Sequence, residues 1–407
     1  MRVLFVAWDG PQVSYLEGLF LPIFSALKTH GWLFHVLQFT WGDQERLKAS
    51  KRACHACGIP YRCVHVWRRP VSAGAFASAL NGHRYVRRAS KDWHIDIVMP
   101  RSTLPALSTL LALPGDHSPT LVFDADGLAL DERVDFAGMD ASGANYRLLR
   151  DVESQAVRRS RAVLTRTEKA ADILAARAGG SELPSKFHVV TNGRNAAHFA
   201  PPKRSVRRAL RQELGIDVDA PVLVYAGSVG EQYCFGAMLD FFSSLRSQRP
   251  DAHLLILTAS INAASEALAL KLGQDAGISR SGVTLRSVSY DDMPSYLAMS
   301  DLGLALRQPA FSMQGVAPIK IGEYLLCGLP VLATRAIGNT SCVDTTTGYL
   351  TEDNGTGGWA NAVEWFLKKV LPNRNAYRTS CRALGVKHFS LEASVDTYAR
   401  ALKSVAT

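Results

Sequence analysis

Residues 317–334 read "APIKIGEYLLCGLPVLAT", a helix that runs through a glycine into a strand, and that order decides the fold. Pro318 suits the first helical turn, where its missing N–H costs nothing. Gly328 suits the left-handed position just past a helix end. "LPVLA" then reads as a strand buried on both faces, as parallel strands are. Lys320 and Glu323 are three residues apart and share one helix face. Both stand near the helix N-terminus, where proteins bind phosphate.

Outward from this stretch, strand-like apolar runs alternate with helix-period segments, the signature of parallel α/β architecture. In the first half the strands are "RVLFVA", "LFHVLQF", "RCVHVW", "IDIVM", "TLVFD", "RAVLTR" and "FHVV". Helices fall between them, for example near 13–30, 74–92, 144–159 and 168–178. The polar, basic, proline-bounded "APPKRSVRRALRQELGIDVDAP" follows as a connector with one short helix. Alternation restarts with "VLVYAG", "HLLILT", "VTLRS", "DLGLAL" and "PVLA". The reading is two doubly wound, Rossmann-like domains facing each other across a cleft. They span 1–195 and 221–385, with a connector at 196–220. A C-terminal helix within 386–407 follows a gap and is free to pack back on the N-terminal domain.

The chain has 407 residues, more than one ordinary core needs. Its composition, 47% hydrophobic and 20% charged, is that of a globular protein and not of a disordered one. A net charge of +10 points to an anionic partner: a phosphorylated ligand, an acidic membrane face or nucleic acid. No nucleic-acid recognition motif is found, which disfavours the last. No apolar run reaches the length of a membrane span, and "MRVLFVAWDG" reads as a first strand and not as a signal peptide. Seven scattered cysteines fit a reducing, cytoplasmic setting. Cys54, His55, Cys57, Cys63 and His65 are numerous enough for zinc, but their spacing matches no common zinc pattern, so no metal is expected.

Ligands of open α/β sheets bind beyond the carboxyl ends of the strands. In the second domain, "YAGSVGEQY" offers Gly227, Ser228 and Gly230, whose backbone N–H groups can meet a phosphate or simply form a turn. Ser287 follows another strand. Gly315, Val316 and Ala317 form a small-residue approach to Lys320, a compact point charge for a diphosphate. Glu323 can accept hydroxyl hydrogens from ribose or a sugar. In the first domain, Asp124 and Asp126 either orient an acceptor hydroxyl and relay its proton or cap a turn. Arg101 and Ser102 are placed to meet an anionic acceptor, and Ser14 caps the first long helix or touches ligand. Basic clusters (Arg84, Arg87, Arg88 and Lys91; Arg147, Arg150, Arg158, Arg159 and Arg161) are either solvated faces or a contact to anionic lipid.

"KIGEYLLCGLPVLAT" resembles the donor-binding helix of retaining GT-B glycosyltransferases of family 4. "FHVVTNGRNAAHFAPP" is similar to that family's interdomain segment, and "MPSYLAMSDLGLAL" to its helix–strand pair. "FDADGLALDERVD" and "IVMPRSTLPAL" resemble acceptor loops of a branch that makes bacterial surface polysaccharides, lipopolysaccharide and capsule among them. The resemblance implies a metal-independent transfer, with retention, from a UDP- or GDP-sugar held by the C-terminal domain. The acceptor would be a glycan or a polyprenyl-diphosphate-linked saccharide at the inner face of the cytoplasmic membrane. Glu323 would hold the ribose. The chain departs from the pattern at Gly315, where many members have a first glutamate. It departs again at Ser228 and Tyr233, where many have arginine and lysine, so Lys320 is read as taking the diphosphate role. Two other readings stand beside this one: a GT-B nucleotide-sugar epimerase, and a non-catalytic subunit that binds nucleotide sugar or glycan.

Overall fold

A computed structural model describes all residues except 12–14, 116–118, 180–182, 202, 275–281 and 407. Two compact units emerge. The first comprises Met1–Thr191, Gln314–Val316 and Ser394–Thr407; the second comprises Asn192–Met313 and Ala317–Ala393.

Among the described residues the first unit carries a seven-stranded sheet: β1 (Arg2–Asp9), β2 (Leu33–Thr40), β3 (Tyr61–His65), β4 (Ile97–Pro100), β5 (Thr120–Asp126), β6 (Ala162–Thr165) and β7 (Phe187–Val189). The order is β3-β2-β1-β4-β5-β6-β7, with every pairing parallel. The second unit has β8 (Val222–Ala226), β9 (His253–Leu257), β10 (Val283–Arg286), β11 (Leu302–Ala305), β12 (Val331–Thr334) and β13 (Gly348–Thr351) in the order β10-β9-β8-β11-β12-β13. These pairs are parallel too. Both sheets reverse winding beside their first strand, at β1/β4 and at β8/β11. Each expected strand is present, and the two doubly wound units are as the alternation implies.

Helices cover both faces of each sheet, so strands are buried on both sides. In β8, Leu223 and Tyr225 join one apolar cluster, while Val222, Val224 and Ala226 join the other. The connector supplies the helix Arg204–Glu213, which belongs to the second unit. The stretch read as a gap before the last helix is instead helical, at Ala360–Trp365 and Arg374–Phe389. The last helix, Leu391–Ala406, contributes Tyr398 and Leu402 to the first unit, both fully buried.

One buried carboxylate organises the second unit. Asp301, just ahead of β11, accepts from Arg207 Nη2 at 2.8 Å, Arg211 Nη2 at 2.8 Å, Arg374 Nε at 2.9 Å and the Val222 backbone N–H at 3.0 Å. It thereby joins the connector helix, the start of β8, the start of β11 and the helix Arg374–Phe389. Burial alone would raise the Asp301 pKa; the three guanidinium groups and the Val222 N–H overcome this and hold it well below the usual carboxylate range. Arg211 is itself 1% exposed, and burial pulls its pKa down. Much of the attraction therefore offsets desolvation.

Asp301→Asn leaves these arginines without their counter-charge and is expected to cost about 3–5 kcal/mol in denaturant unfolding. The wild-type contribution of this carboxylate is present above its unfolded-state pKa and is lost as pH falls toward its depressed folded value. The variant should therefore show a shallower acid limb; an unchanged stability and acid limb would overturn the assignment.

Candidate functional site

Two groups of charged side chains stand at the carboxyl ends of strands, one in each unit. In the second unit the helix Ile319–Leu326 begins after Pro318, as the proline predicts, and Gly328 ends it at φ 73°. Lys320 projects from its first turn, with Nζ 4.1 Å from the centre of the Tyr225 ring and 5.2 Å from that of Tyr233. Gly227, directly after β8, adopts φ 150°, a conformation that side-chain-bearing residues rarely adopt. A Cβ built there would lie 2.7 Å from Lys320 Nζ. The backbone thus favours glycine, and any added methyl would have to push the Lys320 ammonium aside. Tyr225 donates its hydroxyl hydrogen to the Ser228 carbonyl and pins the loop.

Arg307 follows β11, across the switch point from Gly227. Its side chain reaches Gln232 Oε1 at 3.5 Å and lies 4.5 Å from the centre of the Tyr233 ring. Its backbone is held by Thr334 Oγ1, which accepts from Arg307 N at 2.9 Å, and by Asn354 Nδ2, which donates to Arg307 O at 2.7 Å. Sequence reasoning passed over Arg307, although a basic residue immediately past a switch-point strand is a readable signal. Among the described residues neither Lys320 nor Arg307 is paired with a carboxylate. Burial first, then the like charge of Arg307, push the Lys320 pKa well below the ordinary lysine range, against an opposing pull from Glu323.

Glu323 does not stand free beside Lys320. Its Oε1 accepts from Arg194 Nε at 2.8 Å, both side chains being 13% exposed. Arg194 lies in "TNGRNAAHF", next to Asn192, whose Nδ2 donates to Ala317 O at 3.1 Å. Arg194 is a second residue that sequence reasoning missed. Ser228 and Gly230 are exposed on the loop after β8. Ser287 is exposed past β10, two strands away from β8. Gly315 and Val316 belong to the first unit, where a Cβ on Gly127 would meet the Gly315 carbonyl oxygen at 2.5 Å.

In the first unit Arg101, Asp124 and Asp126 come together with Arg166, which was not anticipated. Arg101 spans Asp124 at 3.4 Å and Asp126 at 2.6 Å; Arg166 spans Asp124 at 3.0 Å and Asp126 at 3.5 Å. Burial raises the Asp126 pKa, but Arg101 and Arg166 outweigh it and leave the pKa lowered. An ionised, doubly paired carboxylate is a weak base, so the arrangement serves charge positioning better than proton relay. Ser102 (φ 67°) and Asp126 (φ 66°) are strained at adjacent strand ends, as residues at functional sites often are. Asp9 ends β1 beside this group, and burial raises its pKa against a hydrogen bond from Gln38. Ser14 lies outside the described residues. Some predicted basic-cluster side chains serve the fold instead: Arg150 binds Asp131 and Glu153, and Arg87 donates to Ala112 O. Among the described residues no group of His, Cys, Asp or Glu is arranged to hold a metal ion, and no helix is long and apolar enough to cross a membrane.

Residues 220–369 match the family model for glycosyl transferases group 1. Apart from Gln314–Val316, that stretch falls within the second unit. The chain is 28% identical over 281 residues to a D-inositol 3-phosphate glycosyltransferase of Jonesia denitrificans, covering 67% of this chain and 63% of that protein. Among solved structures, Anabaena HepE in complex with UDP is similar at TM-score 0.74 and 17% identity, covering 99% of this chain and 100% of that one. WaaG, a glycosyltransferase involved in lipopolysaccharide biosynthesis, is similar at TM-score 0.66 and 20% identity, with 98% of each chain covered. These structural likenesses show the fold, which is GT-B.

An anion docked on Lys320 and Arg307 favours the ammonium form and raises the Lys320 pKa. Binding of a diphosphate should therefore take up protons between the depressed free value and the higher bound one, and affinity should fall as pH rises through that window. Calorimetry in two buffers of different ionisation heat reads the uptake directly. It should vanish in Lys320→Met; a buffer-independent heat from neutral to alkaline pH would overturn the coupling.

Proposed function

We propose that the chain is a glycosyltransferase that moves a sugar from a nucleotide-diphosphate sugar, bound by the second unit, to an acceptor bound by the first. The observation that carries this is the pair of cations, Lys320 and Arg307, at the β8/β11 switch point beside a glycine loop. A sugar leaves its diphosphate by breaking the anomeric carbon–oxygen bond, and the departing oxygen gains negative charge. Cations fixed at that position, before the charge develops, lower the barrier without reorganisation. Lys320 and Arg307 supply them, and the loop from Gly227 to Gly230 supplies backbone N–H groups. Arg307 then takes the role that the departures at Ser228 and Tyr233 left vacant.

Glu323 holds the ribose through the carboxylate oxygen that Arg194 leaves available, Arg194 fixing its orientation. The acceptor hydroxyl adds to the anomeric carbon on the face the diphosphate leaves, with retention, and its proton passes to the departing phosphate. Arg101, held by Asp124 and Asp126, orients the acceptor. HepE is described with UDP and with UDP-glucose, so a UDP-hexose is the first donor to try. The curated relatives are named for inositol 3-phosphate, which makes a polyol phosphate one acceptor class. A bacterial surface glycan, assembled on a lipid carrier at the inner membrane face, is the other.

Purified protein incubated with UDP- and GDP-sugars and an acceptor panel should release nucleoside diphosphate in an acceptor-dependent manner. Release or isomerisation from donor alone would favour an epimerase, and binding without turnover a non-catalytic subunit. Lys320→Ala and Arg307→Ala should each lower turnover by about 10²–10³ with the melting temperature retained. Unchanged turnover in both would remove the proposed leaving-group role. Gly227→Ala should abolish the nucleotide-induced melting shift, because the added methyl displaces Lys320; a retained shift would show that the loop does not contact the nucleotide.

A further inference from the structure

The first unit holds a cavity of about 1070 Å³, at the upper end of the range for ligand sites. It lies where a doubly wound sheet binds its ligand. Trp8 comes from the end of β1, Trp41 and Arg68 from just past β2 and β3, Leu104 from the helix after β4, and Arg133 from the chain after β5. Phe76, Leu148 and Leu149 complete an aliphatic and aromatic wall. Among the described residues no aspartate or glutamate lines it, and its charged or amide side chains are Arg68, Arg133 and Asn145.

This lining is wrong for a bare polyol. A polyol's many hydroxyls need many polar partners, acceptors among them, where this wall offers the single amide of Asn145 and two donor-only guanidiniums, and a sugar ring would need open aromatic faces. Trp8 is stacked on Phe39 at 5.2 Å, and Trp41 is covered by the Arg68 guanidinium at 4.3 Å. A Cβ on Gly10 would come within 2.8 Å of the Trp41 ring, so that ring is hemmed in further. What remains is a largely apolar wall with two cations: Arg68, which lies over Trp41, and Arg133, whose pKa burial lowers against the pull of its chain neighbour Glu132. At the rim, Val71, Leu80 and Leu148 are each more than 40% exposed.

We infer that this cavity binds an amphiphilic acceptor, its aliphatic chain lodged between Trp8, Phe76 and Leu149 and its phosphate held by Arg68 and Arg133. The inference rests on the proposed reading of the first unit as the acceptor side. It narrows that acceptor to a lipid phosphate or diphosphate.

The test uses the full chain and calorimetric titration with butyl, octyl and dodecyl phosphate below their micelle concentrations, with dodecanol and inorganic phosphate as controls. Affinity should rise by about fourfold per methylene until the cavity is full. Dodecyl phosphate should bind at least about tenfold more tightly than dodecanol. Arg68→Gln with Arg133→Gln should erase the preference for phosphate, and Ala73→Trp, at an exposed lining position, should flatten the chain-length series. A flat series in the wild type, or a slope that survives Ala73→Trp, overturns the inference. So does binding to phosphatidylglycerol vesicles unaltered by any of these variants and unaccompanied by binding of monomeric dodecyl phosphate, since that is adsorption to a surface. Nucleotide-induced melting shifts and transfer to a polyol phosphate are read on the same samples. Their persistence beside a flat series refutes the lipid site and leaves the transferase reading intact; a steep series without any turnover does the reverse.

Discussion

The second unit depends on how one fully buried carboxylate side chain is satisfied. Asp301 collects three guanidinium groups and the N–H that opens β8. Because it precedes β11 and bonds the first residue of β8, it sets the register of the two strands that flank the switch point. Everything placed at their far ends, Gly227 on one and Arg307 on the other, inherits that alignment. A hydrophobic substitute of equal volume could match its stability. It would lack the directional bonds that hold a connector helix, two strands and a late helix to one point.

The cation site shows the opposite economy. Among the described residues Lys320 and Arg307 have no carboxylate partner, and aromatic rings take that place: Tyr225 and Tyr233 offer electron-rich faces to cations that can still meet an incoming anion. A carboxylate there would compete with a diphosphate; a ring does not. The same reasoning explains why Glu323, one turn further along the helix, is paired to Arg194. Paired in this way, it keeps hydrogen-bonding capacity while its pull on Lys320 stays smaller than the opposing effects of burial and Arg307.

Twelve strands were legible because parallel strands buried on both faces are continuous apolar runs, and the helix and glycine of 317–334 were legible from Pro318 and Gly328. The thirteenth, Gly348–Thr351, was not: it is a four-residue edge strand, half polar, with no run to distinguish it. The site was legible where one motif holds it, as with Lys320 and Gly227. It was illegible where partners are brought from afar. Arg194 and Glu323 are 129 residues apart, and Arg166 and Asp124 are 42. Arg101, Asp124 and Asp126 were found as strand-end residues, but their mutual pairing, which weakens the proton-relay role, needed the sheet order. Apolar cavities leave still less trace, because the residues that line one have the composition of a core.

The last helix carries a consequence for how the chain is made. Tyr398 is fully buried in the first unit, against the charge cluster of Arg166 and Asp124, and Ser394 and Ser404 of the same helix bond Thr191 and His188. A ribosome delivers residues 1–191 first, yet that unit lacks part of its core until residues 394–406 emerge. The second unit, encoded between them, can complete its own core before its elder neighbour does. During synthesis the first unit must wait, partly open, for some two hundred residues of chain. Its need for chaperones should accordingly be set by the time taken to translate the unit inserted in it.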